Sequence, residues 1–429
     1  MKKLPYLEVE FKKDGSIHKP KVSDVIELIE EKKLTDLFVI SHGWNNDIKE
    51  ARDLYASLMD LLATELQSSS FQSRSFGILG VLWPSKKFTD EELIPGGGAA
   101  SVTKKSEKQK LLDAIKSLKN SFDKTGSALI LDDAKKAAQK LNTDPDQASK
   151  DFVAQMAKLI SGIKGKSVEP EDKGAREFHK EGAKSLLIRL QDTTTKTVTS
   201  KNRGGAASVS PAAGGISDGF QGLFEGARNL LNYVTYYQMK ERAGTVGKEG
   251  LAPVIKEIKK MYPHIRVHLI GHSFGGRLVT SAAANVGKGA IDTLVLLQAA
   301  FSHYGFAQNY SNGGDGMFRA AIANQKIKGP VIITHTHNDT AVGKAYAIAS
   351  RVGRQTGSFL GGPDDLYGGM GANGAQITPE ANNDFILSNQ SKYNFKAGKI
   401  YNLKADNCIK DHSDICKKEV ANVVALAIQ

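Results

Sequence analysis

The stretch VHLIGHSFGGRLVTSAAA, residues 267–284, places a serine between glycines where one sequence pattern gives way to another. The residues before Ser273 form an apolar run, which is typical of a strand buried on both faces. Small and apolar residues follow at helical spacing. Because the flanking glycines leave room for a sharp and strained turn, we predict that Ser273 stands at a strand-to-helix corner. A tight turn with an exposed serine is the alternative.

Strands and helices alternate on both sides of this corner. The sequence predicts further buried strands at 35–43, 76–84, 292–300, 329–337 and 398–405, besides the strand 265–273 that leads into the corner. It predicts helices at 48–67, 247–263, 275–287 and 415–429. Such alternation indicates an α/β fold with a mostly parallel sheet flanked by helices.

Two Gly/Ala-rich stretches, 94–103 and 202–219, interrupt this pattern and are typical of flexible linkers. The segment between them is rich in lysine and has helical periodicity. We therefore predict a core made of residues 1–95 and 220–429, with a mainly helical insertion at 96–219. Since the insertion follows a strand, it should leave the sheet at the edge where open α/β sheets bind ligands, and we expect it to cover or gate the site as a lid.

The charge of the chain is concentrated in the insertion. The 429 residues carry a net charge of +12, and residues 101–203 hold 22 Lys and Arg against 14 Asp and Glu. Lysines interleaved with acids and few aromatic residues favour a solvated helical face and disfavour nucleic-acid binding. An anionic membrane surface stays open as a partner. The chain shows no apolar leader or membrane-length apolar run, which predicts a cytoplasmic protein and leaves leaderless export open.

The motif GHSFGG, residues 271–276, resembles the nucleophile elbow of α/β-hydrolases, especially lipases and esterases. The resemblance covers residues 33–84 and 236–429, and the insertion falls outside it. It implies an α/β-hydrolase fold with Ser273 as the nucleophile. It also implies an oxyanion hole, and an acid and a histidine that follow the serine in chain order.

The resemblance assigns the oxyanion hole to the segment ISHGWNND, residues 40–47, which is similar to the HG-type loop of lipases. It implies that the backbone N–H of Trp44 or Gly43, together with that of Phe274, receives the oxyanion. His42 is then a candidate on the substrate side. The alternative is that His42 is a buried structural histidine and Trp44 a core anchor.

Asp339 is the first carboxylate after the strand 329–337, and the resemblance implies that it orients the catalytic histidine. His412, in the loop after the last strand, is then the base, and His303 is a further substrate-side candidate. His335, His337 and Asp339 also form an H-x-H-x-D pattern like that of metallo-hydrolases. The further histidine of that motif is missing, because residue 340 is threonine.

The chain is therefore expected to be a serine hydrolase that cleaves small-molecule or lipid carboxylic esters through an acyl-enzyme, without a metal or organic cofactor. The alternative is a non-catalytic binding or scaffold protein that keeps the fold and acts through its basic insertion. Cys408 and Cys416 lie four residues on either side of His412. A disulfide there would close the histidine loop, although two reduced cysteines are favoured in a leaderless chain.

Overall fold

A mostly parallel nine-stranded sheet with helices on both faces organises the part of the chain that the structure describes. The computed structural model describes residues 4–19, 22–85, 105–119, 121–161, 178–180, 182–191, 216–310, 314–342, 368–389 and 393–429. The strands are β1 (Tyr6–Phe11), β2 (Ile17–Lys19), β3 (Asp36–Ser41), β4 (Phe76–Leu82), β5 (Arg266–His272), β6 (Thr293–Leu297), β7 (Val331–His335), β8 (Ala381–Ile386) and β9 (Ile400–Lys404).

The helices pack on both faces of this sheet. They are α1 (Val22–Glu31), α2 (Ile48–Glu65), α3 (Glu107–Ser117), α4 (Ser127–Gln139), α5 (Pro145–Ser161), α6 (Ala183–Leu190), α7 (Ile216–Thr245), α8 (Ala252–Met261), α9 (Phe274–Ala284), α10 (Arg319–Ala323), α11 (Met370–Asn373) and α12 (Lys418–Ala427). Short 3₁₀ turns occur at Ser69–Phe71 and Phe178–Lys180. None of the helices in the described ranges combines the length and the apolar character needed to cross a bilayer.

The strand order is β2-β1-β4-β3-β5-β6-β7-β9-β8, and each neighbouring pair is parallel except β1 with β2. The central strands are aligned at their carboxyl ends. Ser41 of β3 lies beside Gly271 of β5, and His335 of β7 lies beside Lys404 of β9. Loops that follow these strands therefore emerge at one edge of the sheet, where ligands bind in open α/β folds.

The central strands are buried on both faces, as their continuous apolar runs predict. In β3, Leu37 and Val39 pack into the core on one face, while Phe38 and Ile40 pack into the core on the other. The first core also contains residues of α7, of α9 and of the insertion helices α3, α4, α5 and α6. The second core contains residues of α2 and α12. The predicted central strands and the helix 48–67 are thus confirmed, with ends that differ by a few residues.

Three peripheral strands were missed by the sequence patterns. β1 and β2 form one edge of the sheet, and β8 forms the other edge. β8 has the sequence ANNDFI, and two asparagines and an aspartate do not resemble a buried strand. An edge strand pairs with only one neighbour. The neighbour of β8 is β9, whose first paired residue lies 19 positions further along the chain, so tertiary contacts set the pairing.

The helix predicted at 247–263 is also shorter and differently connected than the sequence indicates. A π-helical turn at Val246–Leu251 joins α7 directly to α8, so the helical path begins at Ile216. The last four residues of the second predicted linker, 216–219, therefore belong to a helix. The rest of that linker, 202–215, and the first linker, 94–103, lie outside the described residues.

The described part of the insertion is helical and packs against α7. The side-chain amide of Asn229 donates to the Leu190 carbonyl of α6 over 2.8 Å. At Gly226, a Cβ would lie 1.9 Å from the Leu187 carbonyl oxygen, so the two helices touch through their backbones. Arg242, also on α7, is buried and donates to the carbonyls of Pro84 and Ser121. Helix α7 thus connects the insertion to the end of β4.

Candidate active site

Ser273 lies at the corner between β5 and α9 with φ of 56° and ψ of −125°. A positive φ is strained for a residue with a side chain, so neighbouring contacts have to hold it. The Ser273 N–H donates to the Leu297 carbonyl at 3.1 Å. The Ser273 carbonyl accepts from the N–H groups of Gly276 and Ala300, each at 3.0 Å. The end of β6 and the residues after it therefore hold the serine through both its N–H and its carbonyl group.

The glycines of the motif are required by close backbone contacts. A Cβ on Gly275 would lie 2.2 Å from the Ser41 carbonyl oxygen, and one on Gly271 would lie 2.5 Å from the Cα of Gly276. A Cβ on Gly276 would lie 2.7 Å from the Cβ of Ala299. Helix α9 therefore touches β3 and the residues after β6, as the sequence predicts for glycines that let the helix approach the sheet.

The loop after β3 is held by aromatic side chains from α2 and β4. The Tyr55 hydroxyl accepts from the His42 N–H at 2.8 Å and donates to the Val81 carbonyl at 2.5 Å. The indole N–H of Trp83 donates to the His42 carbonyl at 2.9 Å, and the two rings stack with centroids 5.6 Å apart. His42 is therefore part of the support of this loop.

The His42 imidazole is buried and neutral. Burial lowers its pKa to about 4, against a smaller effect of its hydrogen bond to Gly43. Its Nδ1 lies 2.9 Å from the Gly43 carbonyl oxygen, and its Nε2 lies 3.4 Å from the Trp83 N–H. A neutral ring that donates from Nδ1 satisfies both contacts. These contacts give His42 the structural role of the two that the sequence left open.

The backbone of the same loop lies against Ser273. A Cβ on Gly43 would lie 2.6 Å from Ser273 Cβ, so only glycine allows this approach. Since the Gly43 carbonyl points to the His42 ring, the N–H of Trp44 in the same trans peptide points the opposite way. Phe274 is the first residue of α9, and the first N–H groups of a helix lack intrahelical partners. The residues that carry these N–H groups, Trp44 and Phe274, directly follow Gly43 and Ser273 in the chain.

Three aromatic rings cluster beside the Ser273 corner. The Trp44 ring lies 5.9 Å from the Phe274 ring and 6.5 Å from that of Tyr236, while Phe274 and Tyr236 are 5.0 Å apart. Tyr236 belongs to α7, so the helix that carries the insertion also forms part of the wall beside the corner. Phe274 and Tyr236 are buried, and Trp44 is half-buried.

Asp339 and His412 meet at the carboxyl edge of the sheet. The Nδ1 of His412 lies 2.8 Å from Oδ2 of Asp339, and the other carboxylate oxygen accepts from the Val342 N–H at 2.9 Å. The Asp339 side chain is buried, and that of His412 is 18% exposed. Donation from Nδ1 fixes the tautomer, so Nε2 of His412 is the nitrogen available to another group.

Electrostatics favour the charged form of this histidine. Burial alone would lower the pKa of His412, but the charge and hydrogen bond of Asp339, with a contribution from Asp411, outweigh it and raise the pKa. The structure shows no hydrogen bond between Ser273 Oγ and His412 among the described residues. Catalytic hydrogen bonds are often long in ligand-free enzymes and tighten with substrate.

His272 connects the corner to the histidine loop. This residue precedes Ser273, and its Nε2 donates to the main-chain carbonyl of His412 at 2.8 Å. The two imidazole rings lie 4.9 Å apart. Burial, with a smaller contribution from the neighbouring His412, lowers the pKa of His272 to about 3, so this ring stays neutral. No local sequence pattern indicates this role, since the two residues lie 140 positions apart.

His303, expected on the substrate side, is fully buried in the loop after β6. Its Nδ1 lies 3.2 Å from the Asn373 amide nitrogen, and its N–H donates to the Gly368 carbonyl at 2.9 Å. These contacts attach His303 to the segment around α11. The contacts that define the Ser273 corner and the Asp339–His412 pair do not include it.

The H-x-H-x-D pattern does not bring its three side chains together. His337 is exposed and lies 3.4 Å from Asp406, whereas Asp339 is hydrogen-bonded to His412. His335 is largely buried, and burial lowers its pKa to about 4, opposed by a hydrogen bond to the backbone of Ala372. Within the described ranges, no three His, Cys, Asp or Glu side chains converge closely enough to hold a metal ion.

Cys408 and Cys416 are both free thiols, as expected for reduced cysteines. The Cys408 sulfur lies 3.6 Å from the Ala405 carbonyl oxygen, and that of Cys416 lies 3.9 Å from the Leu54 carbonyl oxygen. Burial raises the pKa of each thiol. Both cysteines therefore pack against the core beneath the histidine loop.

Comparisons with protein-family models, with curated proteins and with solved structures found no match. The assignment of a function therefore depends on the chemistry of these residues. A strained serine, a neighbouring pair of backbone N–H groups and an aspartate–histidine pair are the components of nucleophilic acyl transfer.

Proposed function

We propose that the chain is a serine hydrolase of the α/β-hydrolase fold that cleaves carboxylic esters through an acyl-enzyme. The single observation that carries the proposal is the 2.8 Å hydrogen bond between Asp339 and His412, whose ring lies 4.9 Å from that of His272, the residue before Ser273. A scaffold protein does not require a buried carboxylate that is hydrogen-bonded to a histidine and raises the pKa of that histidine. Perturbed titratable groups of this kind are concentrated at functional sites.

In this mechanism, Ser273 attacks the ester carbonyl while His412 takes the serine proton on Nε2. Asp339 holds the imidazole in the required tautomer and stabilises the imidazolium that forms. The N–H groups of Trp44 and Phe274 stabilise the oxyanion of the tetrahedral intermediate. His412 then gives its proton to the leaving alkoxide, and water hydrolyses the acyl-enzyme by the reverse sequence of proton transfers.

The order of the elements supports the fold that we propose. The serine follows β5, the acid follows β7 and the histidine follows β9, and these strands share one parallel sheet. The oxyanion loop follows β3, the direct neighbour of β5. The chain order Ser273, Asp339, His412 is the triad order of α/β-hydrolases.

Small-molecule or lipid esters are the substrates that we propose, because aromatic rings border the corner and no charged side chain is needed to bind an uncharged ester. The roles of the insertion as a lid and as a surface for anionic membranes stay predictions. Several lysines of the insertion form ion pairs with acidic side chains, as Lys119 does with Asp132 at 2.7 Å. Only the positive charge in excess of these pairs would attract an anionic surface.

Labelling with a fluorophosphonate probe tests the proposal. We expect the wild-type protein to be labelled and the Ser273→Ala variant not to be labelled. Ser281→Ala is the matched control, because Ser281 lies on the same helix and its hydroxyl binds only the Gly244 carbonyl, at 2.8 Å. A series of p-nitrophenyl esters of increasing acyl length then separates esterase from lipase activity. A folded wild-type protein that neither reacts with the probe nor turns over any ester would contradict the proposal.

A further inference from the structure

Asp339 and His412 lie on two loops that leave neighbouring strands. The acid loop, residues 336–339, follows β7, and the base loop, residues 405–412, follows β9. The last backbone hydrogen bond between them joins the Ala405 N–H to the His335 carbonyl at 2.9 Å. Beyond this point the sheet no longer fixes the separation of the loops, so other contacts have to set it.

Asp406, on the base loop, binds the acid loop. Its Oδ1 accepts from the Thr336 hydroxyl at 2.8 Å and from the His337 N–H at 3.1 Å. Its Oδ2 lies 3.4 Å from the His337 ring and 3.3 Å from the Lys404 ammonium. Burial opposes the charge of this carboxylate, but these hydrogen bonds outweigh it and lower its pKa to about 2. Asp406 is therefore charged and engaged at any pH where the enzyme would work.

Asn338, on the acid loop, binds the base loop in return. Its amide nitrogen donates to the Asp406 carbonyl at 3.0 Å and to the Ile409 carbonyl at 2.8 Å. Ile409 is fully buried and precedes His412 by three residues. The backbone N–H of Asn338 also donates to the Thr336 hydroxyl, the group that binds Asp406. The two side chains thus cross between the loops in opposite directions.

We propose that Asn338 and Asp406 are positioning residues that together set the distance between Asp339 and His412. This inference rests on the proposed function, because it assigns a role in the same site. Neither side chain touches Ser273 in the structure, so each acts through the loop that it holds. Asn338 is adjacent in sequence to Asp339, and it determines where the base loop lies relative to that carboxylate.

The test compares variants that remove the hydrogen bonds between the two loops with variants that keep them. Asn338→Leu removes both amide hydrogen bonds with a side chain of similar size. Asp406→Leu removes the acceptors, while Asp406→Asn keeps an oxygen for the Thr336 hydroxyl and the His337 N–H and serves as the conservative rescue. Lys404→Gln is the control, because it removes only an exposed ion pair.

The rate of fluorophosphonate labelling is measured against pH, together with thermal unfolding. We expect Asn338→Leu and Asp406→Leu to lower the plateau rate by roughly ten- to a hundredfold, as for a displacement of about 1 Å in a catalytic group. The acid limb should move to lower pH, because burial still lowers the pKa of His412 while the opposing effect of Asp339 is weakened; Asp411 still raises this pKa, and the neighbouring His272 stays neutral. Asp406→Asn and Lys404→Gln should stay within about threefold of the wild type.

A lower melting temperature with an unchanged plateau rate and acid limb would overturn the inference, because it would leave Asn338 and Asp406 with a role in stability alone. The downfield proton resonance of the His412 Nδ1–H gives a readout that does not depend on activity. If the wild type is not labelled, the proposed function fails. Loss of this resonance in Asn338→Leu would then still support the positioning role, and its retention would refute it.

Discussion

Replacing Gly275 by alanine adds one methyl group at the closest contact of the serine corner. The new Cβ would lie 2.2 Å from the Ser41 carbonyl oxygen and 2.5 Å from that of His42. Both atoms are backbone, and Ser41 is held in the sheet between Val81 and Gly271. No flexible side chain can move aside, so helix α9 itself has to move.

The size of that movement follows from the contact. Carbon and oxygen atoms in proteins rarely approach closer than 3.0 Å, so the start of α9 has to shift by about 1 Å. Such overpacking costs about 1–3 kcal/mol. The shift also moves Ser273 and Phe274 away from Gly43 and changes the geometry of the two N–H groups. A misplacement of about 1 Å in a catalytic group lowers the rate by about a hundredfold.

Two measurements on Gly275→Ala check this reasoning. We expect the second-order rate of fluorophosphonate labelling to fall by about two orders of magnitude. The melting temperature should fall by a few degrees. A loss of about 1 kcal/mol lowers it by roughly 2–4 °C in a protein of about 200 residues, and by less in a larger one. Labelling is measured well below the melting temperature, so that the loss of rate does not reflect unfolding.

Gly287→Ala is the matched control, because a Cβ at that position would meet nothing within 4 Å. We expect both its labelling rate and its stability to be close to those of the wild type. The reasoning is refuted if Gly275→Ala is labelled as fast as Gly287→Ala. That result would mean that the corner absorbs a methyl group without moving the serine.

Variants at three further positions probe the rest of the site and its support. Asp339→Asn should lower the labelling rate by about 10³- to 10⁴-fold and move the acid limb to lower pH, and an unchanged limb would contradict the assigned pair. Because Asp339 raises the pKa of His412, the charged pair should stabilise the fold below about pH 6.5, the ordinary pKa of histidine. This stabilisation should disappear as the pH rises through the pKa of His412 in the folded protein. Urea unfolding of the wild type and of Asp339→Asn at several pH values measures it. His272→Phe removes the donor to the His412 carbonyl and should slow labelling by about tenfold, while His272→Gln, which keeps a donor, should recover most of the rate. Arg242→Met leaves the carbonyls of Pro84 and Ser121 without this donor, although Asp123 keeps Gln238 and Lys13 as partners, and should cost about 1.5–3 kcal/mol in chemical unfolding. A loss below about 0.5 kcal/mol would show that this arginine does not hold the insertion.

The central part of the fold could be predicted because its signals are local. Each central strand is an apolar run that ends in polar residues, and the helix 48–67 begins with an N-cap at Asp47 and a capping box with Glu50. The edge strand β8 could not be predicted in the same way, because Asn382 and Asn383 carry no signal of a strand until β9 lies beside them.

In the candidate site, too, the features with local sequence signals could be predicted and the contacts between distant segments could not. The sequence by itself determined the corner at Ser273, since glycine spacing and the change from strand to helix are written in consecutive residues. The order of Ser273, Asp339 and His412 along the chain is likewise a property of the sequence alone. Only the tertiary structure decided that His42 supports its loop, that His272 binds the His412 carbonyl, and that Asn338 and Asp406 join two loops about 70 residues apart. Hydrogen bonds of this kind depend on the register of parallel strands, and a register that joins distant segments leaves no local pattern.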